Sequence, residues 1–273
     1  MWYGAPFIDG ALEPPTAGGL TMTETLLLAA AGGALIGILL TLFGGGGSVL
    51  ATPWLIYIVG LTDVHMAIGT SAAAVAVNAL SGLAVQARAG RVKWPCAIVF
   101  GLAGLMGSLA GASVAKQVEG ALLLQWFAIA MIAIALSMLI PRASEGDPAV
   151  RLTPLMVLKL APVGLAAGFA AGFFGIGGGF LIAPGLMAST GMTLSNAAAS
   201  SLVSVSLFGG ATSLSYAVDG QVNWPLFAAL VTGGGAGALF AAPLSNWLTN
   251  RLVIARTVFA LMICAVAAYM LLR

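Results

Sequence analysis

The sequence FGIGGGFLIAP at residues 174–184 has a counterpart in FGGGGSVLATP at residues 43–53. Each glycine-rich stretch follows a long apolar run and precedes a shorter one, at corresponding places in the two halves of the chain. Because glycine has no Cβ, such a stretch lets the backbone leave a helix, turn and approach another group closely. The two stretches therefore predict breaks in otherwise helical apolar segments.

The composition predicts an all-α integral membrane protein embedded in a lipid bilayer. Apolar residues make up 60% of the 273 residues, charged residues make up only 7%, and the mean hydropathy is +1.08. Soluble domains carry about 25% charged residues. The net charge of +2 gives no indication of a nucleic-acid partner. The two cysteines lie singly in apolar runs, so we expect neither a metal site nor a bound cofactor.

Ten apolar segments are long enough to predict helices. A helix that crosses the hydrocarbon core needs about 20 apolar residues. Eight segments have that length: 24–43, 66–87, 95–115, 121–140, 155–174, 194–218, 224–247 and 252–272. Two shorter segments, 49–61 and 180–190, follow the glycine stretches. At roughly 20 and 16 Å they are too short to cross alone, which predicts half-helices or re-entrant segments.

The chain contains an internal duplication that extends beyond the glycines. GRVKWP at residues 90–95 reappears as GQVNWP at 220–225, and GTS at 69–71 reappears as ASS at 199–201. We therefore expect two homologous repeats of about five helical segments each, together forming one transmembrane domain. The predicted organisation is a flexible N-terminal tail at 1–23, a first repeat at 24–140, a linker at 141–154 and a second repeat at 155–273.

The relative orientation of the repeats depends on how many times each one crosses the membrane. If each half-helix effectively crosses, five crossings per repeat invert the second copy; if both are re-entrant, four crossings leave the copies parallel. Basic residues concentrate on the cytoplasmic side of membrane proteins. The inverted arrangement places more of them there, namely Arg88, Arg91, Lys93, Arg142, Arg151, Lys159, Arg251 and Arg256. The sequence therefore favours inverted repeats.

The glycine stretches are also the candidate binding site. Non-helical backbone at membrane depth occurs only where protein buries it or a watery cavity receives it. A helix that starts there presents unpaired N–H groups and a partial positive charge, which suits an anion. The alternative is that the glycines only permit close helix packing, as we expect for Gly104, Gly107, Gly234 and Gly237. The candidate anion-binding residues are Gly44, Gly45, Gly46, Gly47, Ser48, Gly175, Gly177, Gly178 and Gly179.

The paired motifs FGGGGSVLATP, AIGTS and GRVKWP, followed by FGIGGGFLIAP, AASS and GQVNWP, resemble the TauE/SafE sulfite exporter family. The resemblance covers most of the chain from about residue 23 onward. It implies a permease of the cell (inner or cytoplasmic) membrane that exports a small sulfur-containing anion such as sulfite or an organosulfonate. An anion channel of the same architecture, a transporter of another small solute and a membrane scaffold without transport are the alternatives.

Polar side chains inside the predicted spans are candidate auxiliary ligands. The hydroxyl pairs Thr70/Ser71 and Ser200/Ser201 occupy matching positions in the two repeats and could donate hydrogen bonds to an oxyanion. Asn78 lies in the middle of its span. The alternative is that these groups bond their own helix or a neighbouring one.

The lone histidine, His65, is a candidate for proton coupling because histidine titrates near neutrality. The alternative is an interfacial or helix-capping group. Ser48 with His65 superficially resembles a nucleophile and its base, but catalysis needs a third group that orients the base. The repeat also replaces Ser48 by Gly179. We therefore expect no catalytic residue and no enzyme activity.

Overall fold

The structure is a computed structural model that describes residues 21–139, 146–147, 150, 152–175, 177, 179–248 and 252–272. Within these ranges the secondary-structure elements are helical, which confirms the all-α class. The α-helices are α1 (Met22–Phe43), α2 (Ala51–Pro53), α3 (Val64–Arg88), α4 (Trp94–Ala115), α5 (Gly120–Leu139), α6 (Pro154–Phe174), α7 (Gly179–Thr190), α8 (Leu194–Val218), α9 (Trp224–Leu248) and α10 (Leu252–Leu272). Most of the predicted tail and linker lie outside the described residues.

Six of the described helices are long and apolar enough to cross a membrane. They are α1, α3, α4, α6, α8 and α9. Helices α5 and α10 occupy the other two expected spans, and the apolar stretches described in full within them are Gly120–Ala133 and Ala260–Leu272. The chain is therefore a multi-pass membrane protein.

Side chains just outside the helices fix several helix starts. The Asp63 carboxylate accepts hydrogen bonds from the N–H groups of His65 and Met66, at 2.9 and 3.1 Å, and caps α3. Thr153 and Thr193 cap α6 and α8 in the same way. These caps satisfy N–H groups that have no partner within the helix.

The first glycine stretch ends α1, so the predicted break in the helix is present, but the glycines form a 3-10 helix. Gly44–Leu50 forms a 3-10 helix directly after α1, followed by α2 and a π-helical turn at Trp54–Ile58. We call this continuous segment, residues 44–58, the first half-helix. It runs back along α1, because Gly47 packs on Leu39 and Leu40 whereas the Trp54 indole N–H donates to the Leu28 carbonyl at 2.9 Å.

The second glycine stretch does break the helix, as predicted. Helix α6 ends at Phe174, and Gly175 and Gly177 adopt left-handed φ angles of +66° and +65°. Glycine tolerates this conformation without steric cost. Helix α7 then runs back along α6, because Gly185 packs on Val163 and the Gly191 carbonyl accepts a 2.8 Å hydrogen bond from Asp147, upstream of α6. Each half-helix therefore returns towards the side from which its preceding helix came.

Helices α3 and α8 form the centre of the molecule. They are the most buried of the six long helices, since 67% of the most apolar stretch of α3 and 72% of that of α8 are buried inside the protein. Gly209 of α8 packs closely on Ala72 and Ala76 of α3. The two helices are antiparallel, since His65 in the first turn of α3 stacks on Tyr216 in the last turn of α8.

Glycines make two further helix pairs unusually close. A Cβ on Gly107 would collide with the Leu165 carbonyl, which joins α4 to α6, and a Cβ on Gly237 would collide with the Ala34 carbonyl, which joins α9 to α1. Gly104 and Gly234 are equally enclosed. The close-packing interpretation of these isolated glycines is therefore confirmed.

Candidate functional site

The second glycine loop follows α6, and its Gly177 lies at the crossing of α3 and α8. A Cβ added to Gly177 would lie 3.2 Å from the Cγ1 atoms of both Val75 and Val205. These valines occupy the same position in the two halves of the chain, 130 residues apart. The loop thus reaches a point that α3 and α8 flank equivalently, and α7 begins there.

Ser71 connects three elements at this crossing. Its buried hydroxyl oxygen lies 2.8 Å from Thr52 Oγ1 in the first half-helix, 3.1 Å from the Ile68 carbonyl and 3.5 Å from the Gly175 carbonyl. A hydroxyl has one hydrogen to donate, so only one of these groups receives it at a time. Ser201, the counterpart of Ser71, is equally buried and donates to the Ala198 carbonyl at 2.8 Å.

The other two hydroxyls cap helices of the opposite half. Thr70 Oγ1 accepts a 2.9 Å hydrogen bond from the Asn223 N–H, directly before α9. Ser200 Oγ accepts an equivalent 2.9 Å bond from the Lys93 N–H, directly before α4. Both hydroxyls are fully buried. The repeated motifs GRVKWP and GQVNWP therefore mark helix starts that the other half of the chain caps, a role that the sequence reasoning missed.

Asn78 links α3 to α9 and leaves one polar atom unsatisfied. Its Nδ2 donates to the Leu230 carbonyl at 3.3 Å, and its side chain contacts Gly234. Its Oδ1 is buried and has no hydrogen-bond partner among the described residues. The counterpart in the second half is Phe208, which packs on Gly104. Asn78 therefore occupies a packing position with a side chain that retains hydrogen-bonding capacity.

The remaining predicted residues that the structure describes lie in two places, the first half-helix and the start of α3. The 3-10 helix that contains Gly44, Gly45, Gly46, Gly47 and Ser48 contacts both α7 and α8, so the two glycine stretches approach each other. Gly178 lies outside the described residues. His65 is six residues before Ser71, about 9 Å along α3, and lies at the end of the helix rather than at the crossing.

The chemistry of the crossing is that of backbone N–H groups and hydroxyls. The segments 25–62 and 160–218 contain no Asp, Glu, Lys or Arg. Among the described residues, no group of three His, Cys, Asp or Glu side chains could hold a metal ion. A helix start supplies unpaired donors with partial positive charge. This arrangement suits weak, reversible binding of a small anion.

Long apolar helices surrounding two half-helices that reverse inside the protein are an architecture of membrane transporters. Residues 29–270 match the family model described as "Sulfite exporter TauE/SafE". The chain belongs to this family and is a membrane transporter. Its relatives include a "Probable membrane transporter protein" of Xylella fastidiosa (strain Temecula1), 43% identical over 92% of this chain and 96% of the relative.

A more distant relative is the "Probable membrane transporter protein YunE" of Bacillus subtilis, 29% identical over 78% of this chain and 86% of the relative. No solved structure matches the chain. The family membership confirms the resemblance seen in the paired motifs. It also favours transport over the hydrolase alternative.

Proposed function

We propose that the protein exports small sulfur-containing oxyanions, such as sulfite or organosulfonates, by exposing a central site alternately to the two sides of the membrane. The observation that carries this proposal is the position of Gly177 between Val75 and Val205. A loop at the crossing of the two central helices is where movement of one half against the other would change access.

The anion site consists of the N–H groups of the two glycine stretches, residues 44–48 and 175–180, with Ser71 and Ser201 as auxiliary donors. Ser71 lies 3.5 Å from the Gly175 carbonyl, so its hydroxyl is adjacent to the second loop. Thr70 and Ser200 contribute indirectly, because their oxygens already accept hydrogen bonds from helix starts. Dipoles and hydroxyls without a fixed cation allow both entry and release of the anion.

Two inverted repeats, 24–140 and 155–273, form the scaffold of this proposal. The antiparallel packing of α3 and α8 supports this arrangement. Helix α1 of the first repeat also pairs with α9 of the second, and their counterparts α6 and α4 pair in the same way. Helices α1 and α6 are each followed by a half-helix that returns the chain to the side where the helix began. The three remaining helices of each repeat then cross the membrane, and an odd number of crossings inverts the second repeat. The basic turn with Arg88, Arg91 and Lys93 then faces the cytoplasm.

The test is uptake of radiolabelled sulfite into proteoliposomes that contain the purified protein, compared with sulfate, sulfoacetate and taurine. We expect saturable flux and accumulation by counterflow of sulfite or a sulfonate. Gly177→Leu removes the flux, whereas Gly90→Leu retains it, because Gly90 has a similar φ of +67° but open space around it. Flux without saturation or counterflow indicates a channel. The absence of flux for every sulfur anion contradicts the proposed substrate.

A further inference from the structure

An aromatic pair at one end of the central helices contains two buried polar atoms that have no hydrogen-bond partner among the described residues. The rings of His65 and Tyr216 stack with centroids 6.2 Å apart and planes inclined by 24°. Tyr216 is fully buried. Its hydroxyl and the Nδ1 atom of His65 are both buried without a hydrogen-bond partner among the described residues. Buried polar atoms normally have partners, so this pair requires an explanation.

Several charged groups lie at the same end of α3 as the pair. The Asp63 carboxylate accepts a 2.9 Å hydrogen bond from the backbone N–H of His65. Lys116 forms a 2.8 Å ion pair with Asp219, and its ammonium lies 5.8 Å from the centre of the Tyr216 ring. Glu119 precedes Gly120, which packs on Val64. Among the described residues, the carboxylates of Asp63, Glu119 and Asp219 and the ammonium group of Lys116 therefore lie at this end of α3.

The first turns of α3 connect this pair to the second glycine loop. Ile68, one turn after His65, contacts Gly175, and a Cβ on Gly175 would collide with it. Gly69 is enclosed on the other side by Tyr216 and the Gln221 carbonyl, and a Cβ there would lie 2.8 Å from Tyr216 Cβ. A displacement of this part of α3 therefore acts directly on the loop.

The second half of the chain lacks the same chemistry. The counterparts of His65 and Tyr216 at the offset of 130 residues are Ser195 and Gln86, neither of which has an aromatic ring. Gln86 instead donates to the Thr41 carbonyl at 3.5 Å and accepts from Arg91 at 3.4 Å. The titratable pair is thus confined to the end of the molecule where α3 begins.

We propose that His65 and Tyr216 form a proton-binding site that is coupled to the anion site through α3. The inference rests on the proposed transport function. The proton comes from water at this face and adds to the free lone pair of the imidazole, so that both ring nitrogens carry hydrogens. The hydroxyl oxygen of Tyr216, on the ring that stacks on His65, has no hydrogen-bond partner among the described residues and can accept one. To reach that oxygen the imidazole leaves the stack, which shifts the first turn of α3 against Gly175.

A direct test uses the fact that the chain has one histidine. Protein labelled with ¹⁵N-histidine and reconstituted in nanodiscs gives a single imidazole titration, recorded with and without methanesulfonate. Coupling predicts a change in proton affinity of about fivefold or more when the anion binds. Tyr216→Phe retains the stacked ring and reduces this change. A wild-type titration that saturating anion leaves unchanged overturns the proposal.

Flux measurements then separate coupling from transport itself. Methanesulfonate is the probe because its charge does not change over the pH range, whereas sulfite takes up a proton near neutrality. We expect His65→Gln to lose uptake driven by a pH gradient and to retain counterflow without a gradient; Ser195→Ala is the matched control and behaves as wild type. Gradient-driven uptake that persists in His65→Gln, or is absent in the wild type while counterflow is present, overturns the coupling only. The absence of any flux overturns the proposed function and the coupling together.

Discussion

Replacing Gly177 by alanine tests whether the second glycine loop needs both its left-handed backbone and its position between the central helices. A Cβ in the left-handed conformation costs about 1–2 kcal/mol. The new methyl group would also lie 3.2 Å from the Cγ1 atoms of Val75 and Val205, which is tighter than ordinary contact. Overpacking of this kind costs about 1–3 kcal/mol. The sum is about 2–5 kcal/mol, and each 1.4 kcal/mol that falls on the transport-competent state reduces flux about tenfold.

Gly90→Ala is the matched control for the backbone contribution. Gly90 has a φ of +67°, and nothing lies within 4 Å of an added Cβ. We therefore expect Gly90→Ala to lower the unfolding temperature modestly and to leave methanesulfonate flux unchanged. Gly177→Ala should lower both, and the difference between the two variants measures the contact with the valines.

Double variants test whether the alanine methyl group at position 177 contacts the two valines. Val75→Ala and Val205→Ala each remove one of the two Cγ1 atoms, so Gly177→Ala should be less harmful in either background than in the wild type. The interaction free energy comes from a double-mutant cycle on the unfolding temperature and the flux. Equal effects of Gly177→Ala and Gly90→Ala, together with no interaction in the cycle, would refute the placement of the loop between α3 and α8.

Three other predictions concern polar side chains. Thr70→Ala leaves the Asn223 N–H without its acceptor, so we expect a loss of about 1–2 kcal/mol in stability, measured by thermal unfolding, with an unchanged half-saturation concentration for flux. Ser71→Ala and Ser201→Ala should instead raise the half-saturation concentration by about fivefold, the equivalent of one hydrogen bond of about 1 kcal/mol; an unchanged value removes that hydroxyl from the site. Lys116→Ala should lower stability by less than about 1 kcal/mol, because its ion pair with Asp219 is partly exposed, and added salt should reduce the difference in unfolding temperature.

The sequence predicted the second break better than the first. It placed a span at 155–174 and a half-helix at 180–190, and the structure has α6 at Pro154–Phe174 and α7 at Gly179–Thr190. The first stretch, residues 44–47, forms part of a 3-10 helix instead of a loop. Four consecutive glycines have no side chains that would favour either conformation, so only the packing of Gly47 on α1 distinguishes them.

The capping role of Thr70 and Ser200 was hidden for a different reason. The two hydroxyls and their N–H partners, Asn223 and Lys93, are 153 and 107 residues apart in sequence. The equal offset of 130 between the two hydroxyls and between the two partners was visible in the repeat. It relates the two bonds to each other, but only the antiparallel packing of α3 and α8 identifies which residue pairs with which.

Differences between the halves at equivalent positions give the two ends of the protein different chemistry. Asn78 has Phe208 as its counterpart, and Lys116 has Asn246. The Lys116 ion pair and the His65–Tyr216 stack lie at the end where α3 begins, whereas Arg91 and Gln86 meet at the other end. A fully symmetric pair of inverted repeats would make its two open states equal in free energy, so substitutions at such positions are what can bias one state. In the proposed coupling, a proton on His65 acts at one of these asymmetric positions and therefore favours one state over the other.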